Sequence, residues 1–189
     1  MSEQYDSTDD TVRHIGRVRE LLGEVLRNLE ERARQHDASK LVEPEKSVFD
    51  QMTQKLHGMT YGSQEYWACM NKMTPALQHH YQANRHHPEH GSPNVCCTCF
   101  TEWPAGAKEC PQCGDADKEP LAPTLTNMTL LDIIEMLADW KAATERHDDG
   151  DIRRSLAINT RRFCIPPAIN RLMDLTIEEL AWYGPKKGS

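Results

Sequence analysis

The 189-residue sequence contains no stretch approaching the roughly 20 apolar residues that a membrane-spanning helix requires. Its first ten residues, Met1 to Asp10, are acidic and polar and lack the basic and then apolar order of a signal peptide. A cytoplasmic protein with no membrane partner is the expectation. Positive charge is also in short supply: 22 Lys and Arg face 29 Asp and Glu, a formal net charge of −7. No general field draws nucleic acid, and any phosphate binding must be local. Strand-like alternation is missing outside a segment near residues 91–123, as are internal repeats and low-complexity tracts. An even cysteine count is missing too. Four of the seven fall into two CxxC pairs, while Cys69 and Cys164 lie alone in apolar helical surroundings. That pattern suits metal binding in a reducing compartment better than a disulfide framework.

What is present is helical periodicity. Val12, Ile15, Val18, Leu21, Leu22, Val25, Leu26 and Leu29 recur at helical spacing, predicting a first helix to about Arg34 with Thr8 or Asp9 as its cap and residues 1–10 as a disordered start. Pro44 opens a second helix, closed by Gly58. A third begins near Ser63 and runs through Tyr66, Met70, Met73, Leu77 and Tyr81 into a histidine-rich segment ending at Pro88, with Pro75 as a kink point. After the cysteine-bearing segment, helical pattern resumes at Leu130–Trp140, capped by Thr126 or Asn127, and continues past Asp148-Asp149-Gly150 from Ile152 to Phe163. A last helix follows Pro166-Pro167 or restarts at Thr176, which has capping-box spacing to Glu179. The expected fold is all-α: one helical domain over 11–92 and 124–182, with an insert at 93–123.

In the insert, Cys96-x-x-Cys99 and Cys110-Pro-Gln-Cys113-Gly114 form two knuckles, each offering two thiolates from a tight turn, so that four sulfurs can surround one structural Zn²⁺. Cys97 stays open as a replacement for Cys96. The CPxCG knuckle and the short connection resemble the zinc-ribbon class. Many ribbons bind nucleic acid, but Lys108 and Lys118 here face Glu102, Glu109, Asp115, Asp117 and Glu119, a poor balance for phosphate. With four thiolates and no open position, fold support or a protein partner docking on the ribbon is the better expectation.

A second constellation is spread along the chain. His14 lies in His14-Ile15-Gly16-Arg17-Val18, the first helix ends in His36-Asp37-Ala38-Ser39-Lys40, and Asp139 lies in Leu137-Ala138-Asp139-Trp140. Imidazoles and carboxylates in that order can converge on one divalent cation. These strings resemble the HD-domain metal-dependent phosphohydrolase superfamily, whose pattern is a helix bearing H-x-x-R-V, a following HD pair and a late helix bearing A-D. His36 to Lys40 is similar to the HDxGK of its cyclic-dinucleotide phosphodiesterase branch. Tyr61-Gly62-Ser63, His79-His80-Tyr81, Asn84 and His86-His87-Pro88-Glu89-His90 also resemble an uncharacterised family frequent in phage and bacterial genomes, in which case the location is the host cytoplasm.

The resemblance implies an HD-like helical bundle and His14, His36, Asp37 and Asp139 as metal ligands, with Asp132, seven residues earlier on the same face, open as the late ligand. A second ion is implied by histidines in the 79–90 region. There His80 and His87, seven apart on one face of a continuing helix, are preferred over His79 and His86. The catalytic metal, one or two ions of Mn²⁺, Co²⁺, Fe²⁺, Zn²⁺ or Mg²⁺, would activate water for attack on phosphorus. Lys40 and Arg17 are expected to neutralise phosphate oxygens, assisted by Arg154 and Arg161 from a cationic cluster at 153–162. The expected substrate is a nucleotide or related small phosphorylated metabolite. An HD-type di-iron oxygenase and a non-catalytic binding module remain the alternatives, and a homo-oligomer stays open.

Overall fold

The computed structural model describes residues 5–60, 63–91, 94–96, 98–99, 101, 107–114, 122–146 and 150–183. The chain divides into two compact units, residues 1–36 and 37–189, each taken by itself below.

The first unit is one helix, α1 (Thr8–Gln35). Ser7 stands at the N-cap, one residue before the expected cap, so Thr8 and Asp9 lie inside the first turn. Asp9 and Asp10 in that turn and Arg32 and Arg34 in the last turn match the helix dipole. None of its residues is buried.

The second unit is helical, with one two-residue strand pair among the described residues. It begins with a 3-10 turn (Ala38–Leu41), followed by α2 (Lys46–His57) and α3 (Gln64–Lys72). Next come α4 (Thr74–Ala83), α5 (Leu130–Thr144), α6 (Ile152–Arg162) and α7 (Pro167–Glu179). The all-helical class expected from periodicity is what is found. The expected third helix is two: Met73 closes α3 and precedes α4, and Pro75, confined by its missing N–H to a first turn, starts the new helix instead of kinking an old one. Ser63 caps α3 by accepting from the Tyr66 N–H.

Helix α5 is capped by Thr129, whose side chain and that of Asp132 form a reciprocal capping box. Thr126 and Asn127, the expected caps, lie in a preceding 3-10 turn (Leu125–Asn127) that Thr124 caps. Helix α7 runs unbroken from Pro167, and Thr176 sits in its interior, donating to the Leu172 carbonyl.

Two apolar clusters hold the unit together. Leu125, Met136, Leu137, Trp140, Ile152, Leu156, Phe163, Ile165, Met173 and Ile177 join α5, α6 and α7, with Trp140 and Phe163 stacked at 6.0 Å. Met52, Cys69 and Met73, flanked by Val48, Phe49, Leu56, Met70 and Leu77, join α2, α3 and α4. Cys164, expected to lie alone, is disulfide-bonded. The cysteine-bearing segment leaves and rejoins the helices through β1 (Asn94–Val95) and β2 (Ala122–Pro123), antiparallel with Asn94 opposite Pro123 and Val95 opposite Ala122. No helix among the described residues is long and apolar enough to cross a membrane.

Candidate metal centres

Cys96, Cys99, Cys110 and Cys113 come together as expected, with one sulfur of each within 4.8 Å of the others. Cys96 and Cys113 are 3.6 Å apart and Cys99 and Cys110 3.5 Å. Four sulfurs at ~2.3 Å from a tetrahedral zinc lie about 3.8 Å from one another, so the cluster is near the size that ion requires. The knuckles supply the donors locally. The Cys96 N–H bonds the Thr101 carbonyl, the Thr98 N–H points at the Cys96 sulfur at 3.4 Å, and Gly114 turns the second knuckle at φ +69. Hydrogen bonds from Thr101 draw the Cys99 thiol down to about 6. Burial pushes the Cys96 thiol up, but the N–H groups of Cys99 and Thr98 outweigh it and hold it below the usual range. Both favour thiolate, the form that binds metal. Cys97 lies outside the described residues.

The second centre draws on the turn before α2, the end of α4 and the loop that follows it. Asp37 adopts a left-handed backbone, φ 56 and ψ 16, which an aspartate tolerates better than most residues. Its Oδ1 lies 3.3 Å from His80 Nε2 and 3.5 Å from His86 Nε2. His80 Nε2 lies 2.8 Å from His87 Nε2. Asp37, His80, His86 and His87 each place a donor atom within 4.8 Å of the others. His80 and His86 are almost fully buried.

Their outward nitrogens are held by carboxylates. His80 Nδ1 faces Glu45 Oε2 at 2.9 Å, and His86 Nδ1 faces Glu135 Oε1 at 3.2 Å. A carboxylate at Nδ1 places the proton there and leaves the Nε2 lone pair pointing inward, the arrangement that orients imidazole for a metal. Glu45 is completely buried and also takes Ser39 Oγ at 2.9 Å and His79 Nδ1 at 2.7 Å. Asn84 donates to Ser39 Oγ and to the His80 carbonyl.

The chemistry of this set is that of a divalent cation site: three imidazoles, one carboxylate, and outer carboxylates fixing the rings. Burial, then His86 and His80, push His87 down to about 2, so its ring stays neutral. Lys40 Nζ meets Asp37 Oδ2 at 2.5 Å and lies over the Phe49 ring. On α5 a carboxylate oxygen of Asp139 is within 4.8 Å of one of Asp37. Asp132, the alternative late ligand, spends its carboxylate on the Thr129 cap and on Arg85.

His80 and His87 therefore meet, though not on one continuing helix. Helix α4 ends at Ala83, Asn84 leaves it at φ −120 and ψ 110, and the following loop folds His86 and His87 back together. Reading the segment as helix placed His86 on a neighbouring face, whereas it is a central member. Glu45 and Glu135 were not foreseen. A glutamate at a helix start, as Glu45, or within a helix, as Glu135, reads as a solvated charge, and no sequence signal marks these two.

His36 caps the end of α1 and is the chain neighbour of Asp37. His14 and Arg17 are exposed on α1, where Arg17 pairs with Glu20. Arg154 and Arg161 are exposed on α6. The arginine of that cluster tied to the histidine loop is Arg162, which bonds Glu89 at 2.8 Å and stacks on Trp67 and Phe163. His147 and Asp148 lie outside the described residues. Beside the centre, a cavity of about 170 Å³ is lined by Trp67, Met70, Asn71, Gln78, Tyr81 and Arg162, among others. The Tyr81 ring lies 5.0 Å from that of His87.

Residues 3–181 match the model of a family of unknown function (DUF5662), and the chain belongs to that family. No curated protein and no solved structure gives a significant match.

Proposed function

We propose that the protein is a metal-dependent phosphohydrolase acting on a nucleotide or a similar small phosphorylated metabolite, with a structural zinc in its cysteine cluster. The observation that carries the reading is the convergence of Asp37 Oδ1 with the Nε2 atoms of His80, His86 and His87, backed by Glu45 and Glu135. A divalent ion at those atoms supplies Lewis acidity and lowers the pKa of water near phosphorus. Asp37 contributes the anionic donor. Glu45, through Ser39, His79 and His80, fixes ring orientation, and Glu135 does the same for His86. Lys40 places a cation beside the donor set, where a phosphate oxygen can exchange for Asp37 Oδ2.

The cavity beside Tyr81 suits a ring-sized organic group held against Trp67, with Asn71 and Gln78 able to donate and accept. A net charge of −7 and a cavity of this size favour a small substrate over polymeric nucleic acid. The order of His36-Asp37 and Asp139, and the approach of Asp37 to Asp139, also support the HD-type reading.

The test is release of phosphate or pyrophosphate from a broad nucleotide panel by protein loaded in turn with Mn²⁺, Co²⁺, Fe²⁺, Zn²⁺ and Mg²⁺. The proposal is sunk if no substrate is hydrolysed while Asp37→Ala and His80→Ala retain the full metal content of the parent. Three imidazoles in one centre also favour a second reading, an iron-dependent oxidase. Iron stoichiometry with substrate-dependent oxygen consumption separates the two.

A further inference from the structure

Helix α1 carries an apolar face with no buried residue anywhere along it. Val12, Leu22 and Leu26 are each 58% exposed or more, and Ile15, Val18, Leu21 and Val25 are exposed as well. Gly16 and Gly23 interrupt the helix, each weakening it by ~1 kcal/mol relative to Ala if exposed. A helix with that handicap draws its stability from packing.

The spacing says what kind of packing. Ile15, Val18, Leu22, Val25 and Leu29 alternate steps of three and four residues, the 3.5-residue repeat of a helix that winds on other helices. In that register Ile15, Leu22 and Leu29 occupy a, and Val18 and Val25 occupy d. Leucine at a with a branched residue at d favours three or four strands over two. The flanking e and g positions agree, since Val12, Leu21, Leu26, Asn28 and Ala33 stand there with Arg19 as the one formal charge.

Arg32 takes the last d position and donates to Asn28 Oδ1, while the other charges lie on the outer face, among them the pairs Arg17 with Glu20, Arg13 with Asp10, and Arg34 with Glu31. From Ile15 to Leu29 the a and d positions carry no charge. An apolar stripe ~25 Å long and ~10 Å wide offers a single partner helix well under the ~800 Å² per chain that stable complexes bury. Contact with two neighbours, one on each flank, doubles what each helix covers.

We infer that α1 is an assembly element, pairing with the α1 helices of other copies of this chain in a bundle of more than two helices. The test is the mass of the full chain by sedimentation equilibrium over a wide concentration range. Three or four chains are expected. Leu22→Glu, which sets a charge at the centre of the seam, should weaken association at least ~100-fold while the metal content of both centres is retained. Arg27→Glu, on the outer face, should leave the mass unchanged. A parent chain that is monomeric or only dimeric at every concentration overturns the inference, whether or not the variants fold. So does a Leu22→Glu assembly indistinguishable from the parent.

Discussion

The two donor clusters are built from very different lengths of chain. Four cysteines between residues 96 and 113 make one, and backbone N–H groups from the same few residues tune their sulfurs. The other draws Asp37 from a turn, His80 from α4 and His86 and His87 from a loop, with Glu45 and Glu135 reaching in from α2's start and from α5. A local cluster needs its metal and two turns. A dispersed one needs the folded helices first, so metal affinity there reports on the whole unit. On the proposed function the difference also separates roles: four thiolates would close a coordination sphere, whereas imidazoles and a carboxylate beside a lysine and a cavity would leave room for chemistry.

The largest effect that would sharpen this contrast is Asp37→Ala, expected to empty the histidine centre and lower kcat/KM by ~10³-fold or more, roughly the loss of a metal-activated step. Elemental analysis should still find one zinc per chain in the cysteine cluster. Loss of both metals together would break the claim that the sites are independent. Glu45→Gln comes next: it keeps the hydrogen-bonding shape but removes the anion behind His80, and metal affinity should fall ~10–100-fold in competition with a chelator. An unchanged affinity would make Glu45 a packing residue.

Cys110→Ser should remove the cluster zinc and lower Tm by several degrees, yet change activity less than about threefold. A deep loss of activity would mean that the cysteine cluster shapes the other site. The smallest effect concerns pH. Burial depresses His87 from 6.5 to about 2 in the folded chain, so below 6.5 the unfolded chain takes up a proton that the folded one refuses. Stability of metal-stripped protein should therefore decline as pH falls below 6.5. Denaturant titrations at several pH values should show a shallower decline in His87→Gln.

Much of this was legible in the residues themselves, and the rest was hidden for identifiable reasons. Helices reveal themselves through apolar spacing, and the CxxC knuckles carry their whole site within a few residues. Thr129-x-x-Asp132 was a readable capping box that also removes Asp132 from the ligand candidates. The histidine centre is different, because its members meet through a helix that stops at Ala83 and a loop that folds back, and side-chain periodicity carries no information about a fold-back. Arg162 illustrates the same limit: among four arginines on one segment, only packing against Trp67, Phe163 and Glu89 distinguishes it.

The pairing of Asn94 with Pro123 and Val95 with Ala122 gives the cysteine-bearing excursion a shared doorway. Entry and exit stand side by side, so the helical body experiences that whole stretch as a short bridge between its neighbours. Such a side branch can be lengthened or recoded between its strands without rerouting any helix.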